Sequence, residues 1–350
     1  MQVDTFTGEN NDWDKLAREA RRAEACSFDG FAIPEITGDP LLNAAMVARA
    51  TERIQARTAI AVAFPRSPMV VAEQAWSIQR NSGGRFALGL GTQVKAHNER
   101  RFSTPWKAPR SRIVEYVEAL RAIWRCWELS ERLDYQGDHY QFSLMTPEFT
   151  PPKSNLPMVP VYLAAVRPRT LESAASVADG LRLHGFCTKK YFDEVVGPAI
   201  DRGLASRGRK RSELDVCGGG FIMTGPDEAT VMKNREWVRY RVAFYASTPA
   251  YRPVMSLHGW DDLADKLLQM TKTGQWKNMA AQIPDEVLDE FCIYTTYDEL
   301  PDAIEKRFGG ISDTVELAIE PETDLERAQD LLSRVRAIPS AFEAHAARYD

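Results

Sequence analysis

The sequence predicts a (β/α)8 TIM barrel, and three observations point there. Eight short apolar segments are each followed by a helical pattern, several of those segments lack alternation, and 350 residues suffice for about 250 residues of barrel plus loop insertions at its C-terminal face. Runs without alternation mark strands buried on both faces, as in a parallel sheet covered by helices. Eight such units favour a closed barrel over a doubly wound sheet and direct attention to the C-terminal ends of the strands.

Residues 2–6 alternate and predict the first strand; Trp13, Leu16, Ala17, Ala20 and Ala23 then recur at helical spacing until Phe28-Asp29-Gly30 ends the unit. Phe31-Ala32-Ile33 predicts the second strand, residues 41–53 its helix, the all-apolar run 59–64 the third strand and residues 69–79 the next helix. Residues 85–91 predict the fourth strand. A polar loop to about Pro109 leads into a long helix whose Ile113, Val117, Leu120, Trp124 and Trp127 form one apolar stripe, as core residues do.

The Pro-rich stretch 146–160 is expected as a loop within the domain, because the β/α rhythm resumes unchanged at Val161-Tyr162-Leu163-Ala164-Ala165. A helix over 170–177, a strand over 180–183, a helix over 191–204 and a strand over 214–223 follow. Gly225-Pro226-Asp227-Glu228 predicts a helix start with Pro at the first helical position and acids in the first turn. Residues 240–300, rich in Tyr, Trp, Met and Pro, break the rhythm and predict a long irregular insertion within a single domain of residues 1–350. The last strand is expected over 314–319, and Thr323-Asp324-Leu325-Glu326 reads as a capping box opening the last helix.

Composition removes several functions. With 44 basic and 49 acidic side chains, a net charge of -5 and no block of like charges, the chain lacks the basic face of a nucleic-acid binder. No apolar run approaches the roughly 18 residues of a bilayer span, and Met1-Gln2-Val3-Asp4-Thr5-Phe6 lacks a basic start and an apolar stretch, so a soluble, cytoplasmic protein is expected. Five scattered cysteines without Cys-x-x-Cys suit a reducing compartment and read as inert buried thiols.

At the expected strand ends stand Thr7, Glu35, Phe64-Pro65, Thr92-Gln93, Val166-Arg167, His184, Gly218-Gly219-Gly220 and Glu320. Only five histidines occur, none paired, so no metal site is expected. Glycosidase chemistry needs two opposed carboxylates; Glu35 and Glu320 are the candidates, and Glu320 precedes Pro321 as a lead into the last helix. In Gly89-Leu90-Gly91 the third glycine of a dinucleotide fingerprint is replaced by Val94 and no helix pattern begins there, so those glycines are read as letting backbone approach a flat ligand or as a tight strand exit. A mouth with few ionisable groups, and basic or hydroxyl side chains at nearby helix starts, suits a phosphate-bearing organic cofactor.

The stretches Thr58-Ala59-Ile60-Ala61-Val62-Ala63-Phe64-Pro65-Arg66-Ser67-Pro68 and Gly84-Arg85-Phe86-Ala87-Leu88-Gly89-Leu90-Gly91 resemble the bacterial luciferase-like family of flavin- or deazaflavin-dependent oxidoreductases. Thr92-Gln93-Val94-Lys95-Ala96-His97-Asn98-Glu99-Arg100-Arg101-Phe102, Ala243-Phe244-Tyr245-Ala246-Ser247-Thr248-Pro249-Ala250-Tyr251-Arg252-Pro253 and His258-Gly259-Trp260 look more narrowly like the subgroup using coenzyme F-420, an 8-hydroxy-5-deazaflavin. The resemblance implies a luciferase-like barrel that moves a hydride between reduced F-420 and a small organic substrate. Its alternatives are an FMN-dependent monooxygenase and a non-catalytic flavin-binding protein of the same fold.

The resemblance also implies residues. It places a non-proline cis peptide at Ala59-Ile60, bulging against the cofactor ring beside Gly91 and Thr92, and it puts Arg112, Arg167 and Thr170 at the cofactor phosphate. Glu35 is expected at the barrel mouth as the acid, but Ile36 stands where some deazaflavin dehydrogenases of the family have a catalytic histidine, so His97 or His184 is the candidate proton donor. The expected partners are a small-molecule substrate, no nucleic acid, no membrane and a second copy in a homodimer.

Overall fold

The computed structural model describes residues 1–8 and 11–346. Eight parallel strands close into a barrel: β1 (Gln2–Phe6), β2 (Gly30–Ile33), β3 (Gln55–Thr58), β4 (Phe86–Gly91), β5 (Val161–Ala165), β6 (Gly180–Leu183), β7 (Asp215–Gly218) and β8 (Thr314–Glu316). Each pairs with its sequence neighbour. The ring closes through β1 against β8, with Gln2 opposite Thr314 and Asp4 opposite Glu316. A short continuation of β3, Ala61–Val62, pairs with the end of β4.

Alternation decides which side chains fill the barrel. On β1, Val3 packs outward in the hydrophobic core, while Asp4 and Phe6 belong to the inward set. The inward set is polar. Asp4, Arg57, Arg182 and Asp215 are all buried, and Glu316 completes the group near the mouth. The apolar core lies between barrel and helices, where Trp124 and Trp127 of helix Pro109–Leu129 are buried as their spacing required.

Local structure departs from the sequence expectation in four places. The third strand runs through Gln55–Thr58, and the apolar run 59–64 forms a bulge with a cis Ala59-Ile60 peptide and the following turn. The single strand expected over 214–223 is two: β7 ends at Gly218, where φ is +79°, and Phe221–Gly225 leaves the barrel to pair with Cys292–Thr296. The insertion is consequently ordered, with helices Arg252–Leu257, Asp261–Lys272 and Asp285–Phe291. The loop after β4 likewise contains a short helix, Lys95–Arg100.

Two helix starts shift by one or two residues. Asp227 caps helix Glu228–Ala246 by accepting from Thr230 N, which leaves Pro226 outside the helix. Asp324, rather than Thr323, caps helix Leu325–Arg336 through Glu326 N and Arg327 N. All five cysteines are free and buried, and among the described residues no helix is long and apolar enough to cross a membrane.

Candidate active site at the barrel mouth

A cavity of about 270 Å3 opens at the C-terminal ends of the strands. Strands β2, β3, β6 and β7 contribute Ala32, Ala59, Gly185, Gly218 and Gly219 at or just beyond their ends, none with a side chain longer than a methyl group. Larger side chains line the rest, among them Phe6, Phe221, Met223, Trp237 and Glu316. A small-residue floor beside aromatic walls is the shape a flat ring system fills.

The bulge after β3 is built by its neighbours. A Cβ on Gly89 would stand 2.0 Å from the Thr58 carbonyl oxygen, and one on Gly91 would meet the Ile60 side chain at 2.7 Å. These glycines thus make room for the backbone and side chain of the bulge. The Thr58 hydroxyl completes the seam, donating to Gly89 O and accepting from Gly89 N, both at 2.8 Å.

Glu35 is close to the mouth but turned away from the cavity. Its Oε2 accepts from Val62 N at 2.7 Å and from Arg66 Nη1 at 2.8 Å, and its Oε1 accepts from Arg66 Nη2 at 3.2 Å. Arg66 also donates to Val62 O and to Asp39 Oδ2. The carboxylate is 6% exposed and serves as a clamp that ties the loop after β2 to the bulge. The sequence expectation of an acid open to the redox ring is corrected on this point, because the ion pair and the backbone N–H occupy both oxygens.

The two candidate histidines separate. His97 is exposed on helix Lys95–Arg100 and does not line the cavity. His184 follows β6, between the lining residues Leu183 and Gly185, with Tyr245 and Tyr251 packed on its ring at centroid distances of 4.3 and 4.8 Å. Its Nδ1 accepts from Phe186 N at 2.9 Å, which puts the ring proton on Nε2. Burial pushes its pKa down to about 4, with Arg241 adding in the same direction. At neutral pH it is therefore an uncharged donor through Nε2–H.

That depressed value carries a sign. A histidine neutral in the fold and ordinary when unfolded contributes stability in full above about pH 6.5, and this is lost as pH falls from 6.5 towards 4, by about 3 kcal/mol. A heteronuclear NMR titration of His184 is expected to show the neutral Nε2–H tautomer down to about pH 4. A midpoint near 6.5 would contradict the burial assigned to the ring.

The expected phosphate ligands sit at two adjacent helix starts. Arg112 lies in the first turn of helix Pro109–Leu129, its guanidinium 4.4 Å from the Phe64 ring centroid, with Nε donating to Tyr140 Oη and Nη1 to Pro105 O. Among the described residues its Nη2 has no hydrogen-bond partner. Thr170 is half-buried in the first turn of helix Pro168–Val177, and Arg167 is exposed at that helix's N-cap. Both helices begin at the C-terminal end of the barrel, where free N–H groups attract an anion. Thr92, half-buried beyond Gly91, turns its hydroxyl onto Gln93 O.

Glu316 was not singled out by the sequence, which offered Glu320 instead. β8 ends at Glu316, and Glu320 lies beyond the barrel, where its backbone N–H donates to Tyr297 Oη. The available signal was the alternation of Thr314 and Glu316 with Val315 and Leu317. Below the cavity Arg182 bonds Glu316 Oε1 through Nη1 and Asp4 Oδ2 through Nη2, at 3.3 Å in the second case.

The fold and mouth define a barrel with a ligand cavity at the C-terminal ends of its strands, and comparison with known proteins gives the family. The luciferase-like monooxygenase family matches residues 1–312, and the chain belongs to it. The uncharacterised protein Rv1360 of Mycobacterium tuberculosis is 42% identical over 304 residues, covering 86% of this chain and 89% of that protein. A putative coenzyme F-420-dependent oxidoreductase of the same organism, Rv3520c, is 23% identical over 301 residues, covering 79% and 83% of the two chains. Among solved structures, a coenzyme F-420-dependent tetrahydromethanopterin reductase from Methanopyrus kandleri superposes with a TM-score of 0.76 at 19% identity, covering 95% of this chain and 98% of that one.

Proposed function

We propose that the chain is an F-420-dependent oxidoreductase that moves a hydride between the deazaflavin and a small organic substrate. The observation that carries this is the mouth cavity, where the Ala59 bulge and the glycines just beyond β6 and β7 leave a small-residue floor whose one lining charge is Glu316. The names of its relatives favour the deazaflavin as cofactor. A deazaflavin has carbon where a flavin has N5, so it supplies hydrides and reacts poorly with oxygen.

The residues have separable roles in this reading. Arg112 Nη2, with the Arg169 N–H and the Thr170 hydroxyl at the start of helix Pro168–Val177, would hold the cofactor phosphate, and Arg167 would add charge at the rim. Ala59 would lie behind the ring, with Ile60 packed on Gly91, and Thr92 next to it, supporting the bulge from behind. His184 donates a hydrogen bond through Nε2–H without changing charge, and Glu35 holds the bulge in place through Arg66 and Val62.

Fluorescence titrations test the cofactor. Micromolar binding of F-420 with weaker binding of FMN is the expected result; micromolar FMN with no F-420 binding would shift the assignment to an FMN-dependent monooxygenase, a reading the family's description favours. Arg112→Ala is expected to weaken F-420 binding by roughly ten- to a hundredfold, the worth of one charge-assisted hydrogen bond. Unchanged affinity would remove Arg112 from the phosphate site.

A further inference from the structure

We propose that the side of the mouth cavity lined by Phe6, Trp237 and Glu316, beside the Ala59 floor assigned above to the cofactor ring, takes an uncharged, ring-bearing, mainly apolar substrate that donates one hydrogen bond to Glu316, and that it rejects phosphorylated and other anionic substrates. That the occupant is a substrate rests on the function proposed above; the binding chemistry rests on the cavity alone.

The walls carry the first part. Phe6 at the end of β1 is 47% exposed and Trp237 on helix Glu228–Ala246 is 55% exposed, and both line the cavity with Pro34, Phe221 and Met223. Two large aromatics left open to water at one opening gain by being covered, at about 25 cal/mol per Å2 of apolar surface removed from water. A planar apolar ligand covers them and gains stacking or edge contacts as well.

Charge carries the second part. Among the described residues that line the cavity, Glu316 is the only ionisable one. One of its oxygens is held by Arg182, whose other amine is committed to Asp4, so the cation is neutralised on both sides. Arg307, close behind Gly220, donates to the carbonyl oxygens of Cys187 and Glu290. An anionic substrate would meet a carboxylate and, among the described residues that line the cavity, no cation, an arrangement that discriminates by repulsion. Oε2 of Glu316 has no hydrogen-bond partner among the described residues and remains an acceptor for a ligand hydroxyl or N–H.

Calorimetric titration of the full-length chain with 2-naphthol and with 2-naphthyl phosphate, with and without saturating F-420, tests this. The pair shares one ring system and differs in charge. 2-Naphthol is expected to bind at least tenfold more tightly than the phosphate, Trp237→Ala to weaken it at least tenfold, and Glu316→Gln to narrow the gap between the two ligands. Because Trp237 is exposed, its variant should keep the parent melting temperature, and Phe6→Ala provides a second reading of the same wall. Equal or tighter binding of the phosphate, or naphthol binding indifferent to both wall variants, would overturn the proposal. Absence of naphthol binding in a chain that binds F-420 would overturn it and leave the cofactor assignment standing; naphthol binding without F-420 binding would do the reverse.

Discussion

Replacing Arg57 with methionine is expected to cost about 3–5 kcal/mol of folding stability, the penalty for removing one partner from a buried ion pair. Arg57 is 5% exposed inside the barrel, with Nη1 3.1 Å from Asp4 Oδ2 and 3.9 Å from Asp215 Oδ2, and with Nε bonded to Gln55 Oε1 at 2.6 Å. Asp215 retains hydroxyl donors from Tyr162 and Thr314 when Arg57 is gone. Asp4 does not fare as well. Its side chain is fully buried, its Oδ1 is already without a hydrogen-bond partner, and only Arg182 would remain to balance it.

The pH dependence of that loss has a definite sign. Burial raises the Asp4 carboxyl to about 6, against the opposing pull of Arg57 and Arg182. A carboxyl raised in the fold favours the protonated form, so its stability contribution is largest at low pH and is lost as pH rises from about 4 through 6. Without Arg57 the value rises further, so the deficit should be greatest above pH 6 and shrink towards pH 4, where protonated Asp4 needs no cation. Urea melts of parent and variant across that range measure it. Combining Asp4→Asn with Arg57→Met should recover part of the loss, and strict additivity of the two would show that they do not interact.

The same ion pairs explain what the sequence concealed. Period-two alternation of polar and apolar residues ordinarily means one face in water, yet Asp4, Arg57, Arg182 and Glu316 alternate because they point into the barrel. The sequence pattern puts the third strand four residues late for this reason, since Gln55 and Arg57 look like a solvent edge and Ala59-Ile60-Ala61-Val62-Ala63-Phe64 looks like the strand. Gly30 was legible only as a turn signal. In the fold, a Cβ there would stand 2.3 Å from Asp4 Oδ1 and 2.7 Å from Arg57 Nε, so the position yields its space to the pair.

The mouth was legible to a different extent. Strand ends follow from the strand count, so Glu35, His184 and the glycines after β7 are placed near it, whereas Ala59 is placed there only by the resemblance to the luciferase-like family. Which way Glu35 turns depends on Arg66, thirty-one residues away, and that pairing leaves no local pattern. Trp237 and Met223 were hidden because β7 was read as one long strand; its break at Gly218 sends Phe221–Gly225 and the following helix across the opening.

Removing the Glu35 side chain is expected to disturb cofactor binding more than chemistry. Glu35→Ala deletes the acceptor of Val62 N and two contacts to Arg66, leaving that guanidinium with Asp39 and the Val62 carbonyl. A cost of about 2–4 kcal/mol follows from an unpaired backbone donor and a half-paired cation. The bulge from Ala59 to Val62 loses its anchor to the loop after β2, so F-420 affinity should fall by roughly a hundredfold. Glu35→Gln separates the two functions of the side chain: its amide oxygen can still accept from Val62 N, while the charge facing Arg66 is gone. For a positioning residue, Glu35→Gln therefore restores most of the cofactor affinity lost in Glu35→Ala and leaves kcat within about tenfold of the parent. If instead Glu35→Gln bound F-420 normally and lost 10²-fold or more in kcat on an identified substrate, with the acid limb of its pH profile abolished, the carboxylate would be moving a proton. Arg66→Lys then provides the independent check, since lysine keeps the charge but not the two-pronged grip on Glu35, and a positioning role requires it to weaken F-420 binding in parallel with Glu35→Ala.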